Sequence, residues 1–300
     1  MMVYRESLEE RVAHMRKQHD PPRLRAKKFR EHVRAHRGTF VVYLVLRLIV
    51  IAGMVLSILH GNYENLFVYT LSLVLFMIPS FVEETFGIDI PSTLEIIVLL
   101  FIFCAEVLGE LQAYYLRFPY WDTMLHTVNG FLCAAVGFAL VDILNRNEKI
   151  KFHLSPIFLA VVAFCFSMTV GVIWEFFEFG CDWLFHTDMQ KDTIINTIAS
   201  VTLDPTKSNT AVVIDNITQA TVNGKDLGLG GYLDIGLYDT MKDLFVNFIG
   251  ALVFSVIGFF YVKGRGKGKF AKRFIPTLKP QPPKKKKEDN HAEETTASSS

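Results

Sequence analysis

The sequence predicts an all-α membrane protein with six transmembrane helices. Hydrophobic residues make up 51% of the 300 residues, and the mean hydropathy is +0.29. They come in long blocks instead of at the 3.6-residue spacing of a soluble amphipathic helix. Six blocks reach the length of about 17 to 25 residues that a helix needs to cross a bilayer. The predicted spans are residues 39–59, 66–82, 93–111, 123–144, 156–179 and 241–262.

The basic residues predict the orientation. Lys and Arg crowd the stretch before the first span, the loop 146–151 and the tail after residue 262. With six spans these segments share one face, which the positive-inside rule assigns to the cytoplasm. We expect both termini in the cytoplasm of a multi-pass protein of the cell inner membrane. The first span follows a charged stretch and is longer than a signal-peptide core, so we expect it to act as an uncleaved insertion signal.

The rest of the chain divides around this transmembrane domain of residues 39–262. We expect a basic cytoplasmic segment at 1–38, an extracytoplasmic insert at 183–238 and a basic, mostly disordered tail at 263–300. Within the insert, an Asn-Gly pair at 223–224 between β-prone residues predicts a hairpin. The four cysteines lack the spacing of a metal site and are interpreted as packing residues.

Ionisable residues, together with one asparagine, gather at one end of the last three predicted spans. Each costs about 2.5 to 3.5 kcal/mol at mid-membrane on insertion scales, and such residues usually mark functional sites. The residues are Asp122, His126, Glu175, Glu178, Asp182, Asp239, Asp243 and Asn247, with Glu106 and Glu110 at the same end of the third span.

Steps of three or four residues separate the members of each set, so each helix carries one polar stripe. Stripes at one level in a membrane should face one another and line an outward-facing cavity. The alternative is that the outermost acids are interfacial, with Asp122 and Asp239 as helix N-caps. That alternative does not account for Glu106, Glu175 and Asp243, which lie a turn or more inside.

Acids outnumber bases in this cluster, so either several acids are protonated or a cation sits among them. Carboxylates with one imidazole fit Mg²⁺, Mn²⁺, Ca²⁺ or Zn²⁺. We predict a divalent-cation cofactor, with Glu175 and His126 as candidate catalytic groups. The predicted metal ligands are Asp122, His126, Glu175, Glu178, Asp239 and Asp243. Glu106, Glu110, Asp182 and Asn247 are predicted to line the cavity.

Three motifs on consecutive spans carry a family resemblance: Asp122-Thr-Met-Leu-His126, Glu175-Phe-Phe-Glu178, and Asp239-Thr-Met-Lys-Asp243 continued to Asn247 and Gly250. Over residues 121–261 the chain resembles the VanZ-like membrane proteins, and more closely the YjdF-like inner-membrane proteins. VanZ-like proteins carry a Gln where this chain has Glu178, and they lack the long insert. The resemblance implies a bacterial envelope protein, in some members linked to glycopeptide resistance.

Three functions remain open at this stage. A membrane enzyme would use the cation on a lipid-linked or cell-wall substrate. The predicted partner is membrane lipid, and no nucleic acid is expected to bind. A cation- or proton-coupled transporter would use Glu106, Glu175 and Asp243 as a relay. A non-catalytic envelope or resistance scaffold would use the acids only to hold its helices together.

Overall fold

A computed structural model describes residues 37–63, 65–145, 154–264, 266 and 268–278. The predicted N-terminal segment is therefore outside the described residues except for residues 37 and 38, and the whole of the loop 146–151 and the tail beyond residue 278 lie outside them. The fold is mostly helical, as predicted. The helices are α1 (Arg37–Leu59), α2 (Leu66–Leu75), α3 (Ile78–Phe86), α4 (Ser92–Ile102), a π-helix (Phe103–Leu111), α5 (Tyr114–Arg117), α6 (Trp121–Asn145), α7 (Pro156–Phe185) and α8 (Leu237–Lys263).

Five helical segments among the described residues are long and apolar enough to cross a membrane. They are Arg37–Leu59, Leu66–Thr85, Trp121–Asn145, Pro156–Phe185 and Leu237–Lys263. These correspond to five of the six predicted spans. The remaining one, 93–111, is formed by α4 and the π-helix in direct succession. Six spans therefore remain a prediction.

Two of the apolar segments are irregular for identifiable reasons. The second is interrupted between α2 and α3, where Pro79 stands in the first turn of α3 and has no N–H to donate to the preceding turn. In the third, the π-helix changes the register of the backbone hydrogen bonds. The indole N–H of Trp121 donates to the carbonyl oxygen of Cys104 at 3.3 Å. This bond ties the π-helix to the first residue of α6.

Helices α6, α7 and α8 form the core of the molecule. Their shared interior is apolar and includes the fully buried residues Ala134, Phe138, Ala163 and Phe254. Helices α6 and α8 come into backbone contact: a Cβ added at Gly130 would meet the carbonyl group of Asn247, and one added at Gly250 would meet that of Thr127. Glycine is required at both positions because any side chain would separate the helices.

The segment after α8 folds back onto this core. A 3-10 turn, Ala271–Arg273, is followed by strand β8 (Thr277–Leu278), which pairs antiparallel with β1 (Ile88–Asp89). Phe274 is buried and packs edge-on against Phe131 at 5.2 Å between ring centroids. The first part of the predicted tail is thus ordered, because its apolar residues fill a space beside α6.

The insert between α7 and α8 contains short antiparallel strands. Strands β2 (Thr193–Ile195) and β7 (Tyr232–Asp234) pair at its base, and β3 (Ile198–Ser200) pairs with β4 (Val212–Ile214). Strands β5 (Thr221–Val222) and β6 (Lys225–Asp226) form the predicted hairpin. Its turn residues Asn223 and Gly224 have φ of 52° and 79°, as a type I′ turn requires.

Asp204 organises the loop between β3 and β4. Its carboxylate accepts hydrogen bonds from the backbone N–H groups of Thr206 at 2.9 Å and Ser208 at 2.7 Å. The hydroxyl groups of the same two residues donate to it at 2.6 and 2.9 Å. These bonds stabilise the ionised carboxylate and lower the pKa of Asp204 below its usual range, and the bond from the Thr206 hydroxyl contributes most.

We predict that Gly130→Ala weakens the contact between α6 and α8, because the added methyl group would collide with backbone that cannot move independently. Overpacking of this kind costs about 1 to 3 kcal/mol. The measurement is the thermal unfolding midpoint in detergent micelles. Gly180→Ala in α7 is the matched control, since a Cβ there would meet nothing within 4 Å. Equal melting of both variants would contradict the predicted close packing.

We also predict that the loop after β3 loses protection in acid. Because the folded pKa of Asp204 is depressed, its ionised carboxylate stabilises the loop at pH values above the unfolded pKa, about 3.9. This stabilisation is lost as the pH falls through the folded pKa. Amide hydrogen exchange of residues 201–214, corrected for intrinsic rates, should show this loss below about pH 4. Asp204→Asn should abolish the pH dependence, whereas the exposed Asp215→Asn should preserve it.

Candidate metal centre

The predicted gathering of acids at one end of three helices is present. Helix α7 ends and helix α8 begins where the insert joins them, and α6 begins beside α8. We call this end of the bundle the insert end. Asp122 and His126 lie in the first two turns of α6, whereas Asp243 lies in the second turn of α8. The helix contact at Gly130 and Gly250 brings these turns face to face.

Three of the predicted ligands meet in one group. His126 Nε2 is 3.4 Å from Asp122 Oδ1 and 3.8 Å from Asp243 Oδ2. Among the described residues, one ligand atom from each of Asp122, His126 and Asp243 lies within 4.8 Å of the others, which is the geometry of a possible metal site. We call these three residues the triad.

The spacing of the triad can be compared with a tetrahedral zinc site. With metal–ligand bonds of about 2.0 to 2.2 Å, two tetrahedral ligand atoms stand roughly 3.3 to 3.6 Å apart. The observed 3.4 and 3.8 Å fit within a few tenths of an ångström. Three protein ligands also leave a fourth position open for water or substrate. The group could therefore hold a metal ion.

The carboxylates of the triad are withdrawn from solvent and incompletely satisfied. The Asp243 side chain is 1% exposed and that of Asp122 is 21% exposed. Asp243 Oδ1 and Asp122 Oδ2 are both buried and accept no hydrogen bond. Their positive neighbour is the Lys242 ammonium group, at 3.6 Å from Asp243 Oδ1 and 3.3 Å from Asp122 Oδ2, so ion pairs balance these oxygens where hydrogen bonds do not.

Lys242 lies beside the triad. Its Nζ donates to Asp239 Oδ1 at 2.6 Å and forms ion pairs with Asp122 at 3.3 Å and Asp243 at 3.6 Å. The Lys242 side chain as a whole is 43% exposed. The ammonium group of Lys242 therefore already balances part of the negative charge of the cluster.

The remaining predicted ligands have other surroundings. Asp239 accepts hydrogen bonds from the Lys242 ammonium group and from the backbone N–H of Lys191, the latter at 2.8 Å. The bond from Lys191 fixes the insert to α8, so Asp239 does not serve as the N-cap of this helix. Glu178 accepts from the indole N–H of Trp174 at 2.8 Å. Glu175 is 4% exposed, and its Oε2 accepts no hydrogen bond. The metal role of these three acids stays a prediction.

The root of the insert covers the cluster. Asp182, at the end of α7, accepts from the backbone N–H groups of Met189 at 2.7 Å and Gln190 at 2.8 Å. The Gln190 side chain donates to the Thr240 hydroxyl at 2.6 Å, and both side chains are hydrogen-bonding neighbours of Glu175. Sequence reasoning missed Gln190, in the polar insert, and Thr240, in the first turn of α8, because uncharged polar residues carry no signal of burial.

The other predicted cavity residues lie around this group. Asn247 is buried one turn below Asp243, and its Nδ2 donates weakly to the Ser167 carbonyl oxygen at 3.5 Å, while its Oδ1 accepts no bond. Glu106 is half-buried and Glu110 is exposed on the π-helix. Glu110 is within electrostatic range of Lys191. Neither glutamate belongs to the triad.

The comparison with protein families agrees with a membrane location. Residues 42–264 match the family described as predicted membrane protein, DUF2238. The chain belongs to this family. The match covers all five apolar helical segments except the first residues of α1, so the protein is a multi-pass membrane protein. No curated protein and no solved structure matches the chain.

Proposed function

We propose that this DUF2238 protein binds a divalent cation at Asp122, His126 and Asp243 and uses it on an envelope or lipid-linked substrate. The observation that carries the proposal is the triad itself: three ligand atoms lie within 4.8 Å of one another, and the two carboxylate side chains among them are 1% and 21% exposed. One imidazole with two carboxylates suits Zn²⁺ first and Mn²⁺ second.

The cation would polarise a phosphoryl or acyl oxygen and activate a bound water. His126 serves as a ligand in this arrangement, which leaves Glu175 as the general base. Glu175 is within electrostatic range of Asp122 and Asp239. Its unpartnered Oε2 is available to take a proton from water.

A neighbouring apolar pocket supports a lipid-linked substrate. It has a volume of about 360 Å³ and an almost entirely apolar lining. Its lining includes Trp121, which directly precedes Asp122. An apolar surface beside a polar centre is suited to hold the hydrocarbon part of a substrate while its polar group reaches the cation. The lining residues are Tyr114, Phe118, Pro119, Tyr120, Trp121 and Met124.

The interior of the bundle favours a one-sided site over a transport path. Beyond Asn247, the described buried residues of α6, α7 and α8 are apolar except for Ser167, Ser255 and Asp142. Phe138 and Phe254 fill the middle of this region. A cation or proton relay needs a more continuous series of polar groups, so we place the transporter second.

The orientation in this proposal follows the charge distribution of the sequence. Both termini are cytoplasmic and the insert end faces the outside of the inner membrane, in agreement with the positive-inside rule. The resemblance to VanZ-like and YjdF-like proteins at the same three motifs supports an envelope role. The scaffold alternative assigns the acids only to helix association and requires no cation.

We predict that purified wild-type protein in lipid nanodiscs retains about one equivalent of zinc, set by the single triad. Asp122→Ala/His126→Ala should contain almost none, because two of three ligands are removed. Elemental analysis by mass spectrometry checks this. Asp215→Asn, an exposed acid in the insert, should match the wild type. Equal and near-zero metal in the wild type and the double variant would end the cation hypothesis.

We further predict that Glu175→Gln keeps the metal and the fold but lowers turnover by about 10² to 10⁴, the usual contribution of a general base. The assay is hydrolysis of polyprenyl diphosphate and acyl-lipid substrates in proteoliposomes. Glu110→Gln, on the exposed side of the π-helix, is the matched control. A wild type with no turnover on either class contradicts the hydrolase proposal, and a variant that unfolds favours the scaffold.

A further inference from the structure

Asp122 and Asp243 each turn one carboxylate oxygen toward the His126 imidazole and the other toward the Lys242 ammonium group. Asp122 turns Oδ1 toward His126 at 3.4 Å and Oδ2 toward Lys242 at 3.3 Å. Asp243 turns Oδ2 toward His126 at 3.8 Å and Oδ1 toward Lys242 at 3.6 Å. The imidazole and the ammonium group therefore lie on opposite sides of the same pair of carboxylates.

The ammonium group is held in this position by a third acid. Its shortest contact is to Asp239 Oδ1 at 2.6 Å, within one turn of the same helix. Asp239 is itself 6% exposed and is fixed by the backbone N–H of Lys191 through its other oxygen. Asp239 thus holds the ammonium group of Lys242 next to the triad.

The charges of the cluster affect how strongly it would bind a metal ion. Without a metal ion, the ammonium group of Lys242 offsets part of the mutual repulsion of the three aspartates. A divalent ion between His126 and the two aspartates would share both carboxylates with the ammonium group. Because like charges at such short range repel in a medium of low dielectric constant, each cation weakens the binding of the other.

We propose, on the basis of the proposed metal function, that Lys242 is the resident cation of this centre and sets its affinity. It stabilises the aspartates when no divalent ion is bound and competes electrostatically with the ion when one binds. The site then selects for divalent ions, because a monovalent ion would gain little beyond the charge that Lys242 already supplies. Asp239 is the positioning residue that holds Lys242 there.

The test uses the full chain in nanodiscs, with thermal unfolding followed in EDTA and during titration with ZnCl₂. Lys242→Met removes the charge and keeps the length of the side chain, and Lys242→Arg keeps the charge. In EDTA the methionine variant should melt below the wild type and the arginine variant. Its zinc midpoint should be at least tenfold lower than that of the wild type, whereas the arginine variant should match the wild type.

Lys242→Met/Asp239→Asn removes one positive and one negative charge, so it should fold even if the single variant does not. Because this variant restores the net charge of the cluster, its melting temperature in EDTA and its zinc midpoint should both lie between those of the wild type and Lys242→Met. Equal or higher midpoints in both methionine variants would overturn the role of Lys242 while the metal site stands. Absence of any stabilisation by zinc in the wild type and all variants would overturn the metal site and the competition together.

Discussion

The structure depends on the need of buried carboxylates to find positive partners inside a membrane protein. Asp243 is 1% exposed and lies where α6 and α8 touch. Its neighbours are His126, across the interface on α6, and Lys242, on its own helix α8. An aspartate buried without such partners would cost several kcal/mol. The close approach at Gly130 and Gly250 shortens the distance between the helices, and therefore allows short aspartate side chains to reach the same imidazole.

The insert is connected to the site by the same kind of interaction. Asp182 and Asp239 accept hydrogen bonds from three consecutive backbone N–H groups, those of Met189, Gln190 and Lys191. Backbone donors buried at the root of a loop must be paired, and here the partners are acids from the ends of α7 and α8. The insert is thus anchored by residues next to the triad, so its position and the geometry of the cluster are coupled.

The two ends of the bundle differ in chemistry. The insert end concentrates the charges, whereas the opposite half contains an apolar interior in which Phe138, Phe254 and Phe274 pack with alanines. The segment around Phe274 returns to this interior after α8, and β8 pairs with β1. This packing stabilises the helices away from the site. It leaves the insert end as the part of the described structure where chemistry with a polar substrate is supported.

The sequence by itself determined the membrane class, most helix positions, the hairpin at Asn223-Gly224 and the end of the bundle at which the acids gather. These follow from local patterns: apolar block length, turn residues and the spacing of polar residues along a helix. Only the tertiary structure decided which acids meet. Asp122, His126 and Asp243 converge, whereas Glu178 turns to Trp174 and Asp182 to the insert. The sequence also did not predict the π-helix, the ordered segment after α8 or the contacts of Lys242 with three aspartates. The physical reason is that helix rotation and approach depend on contacts between distant residues, and spacing along one helix contains no information about its neighbours.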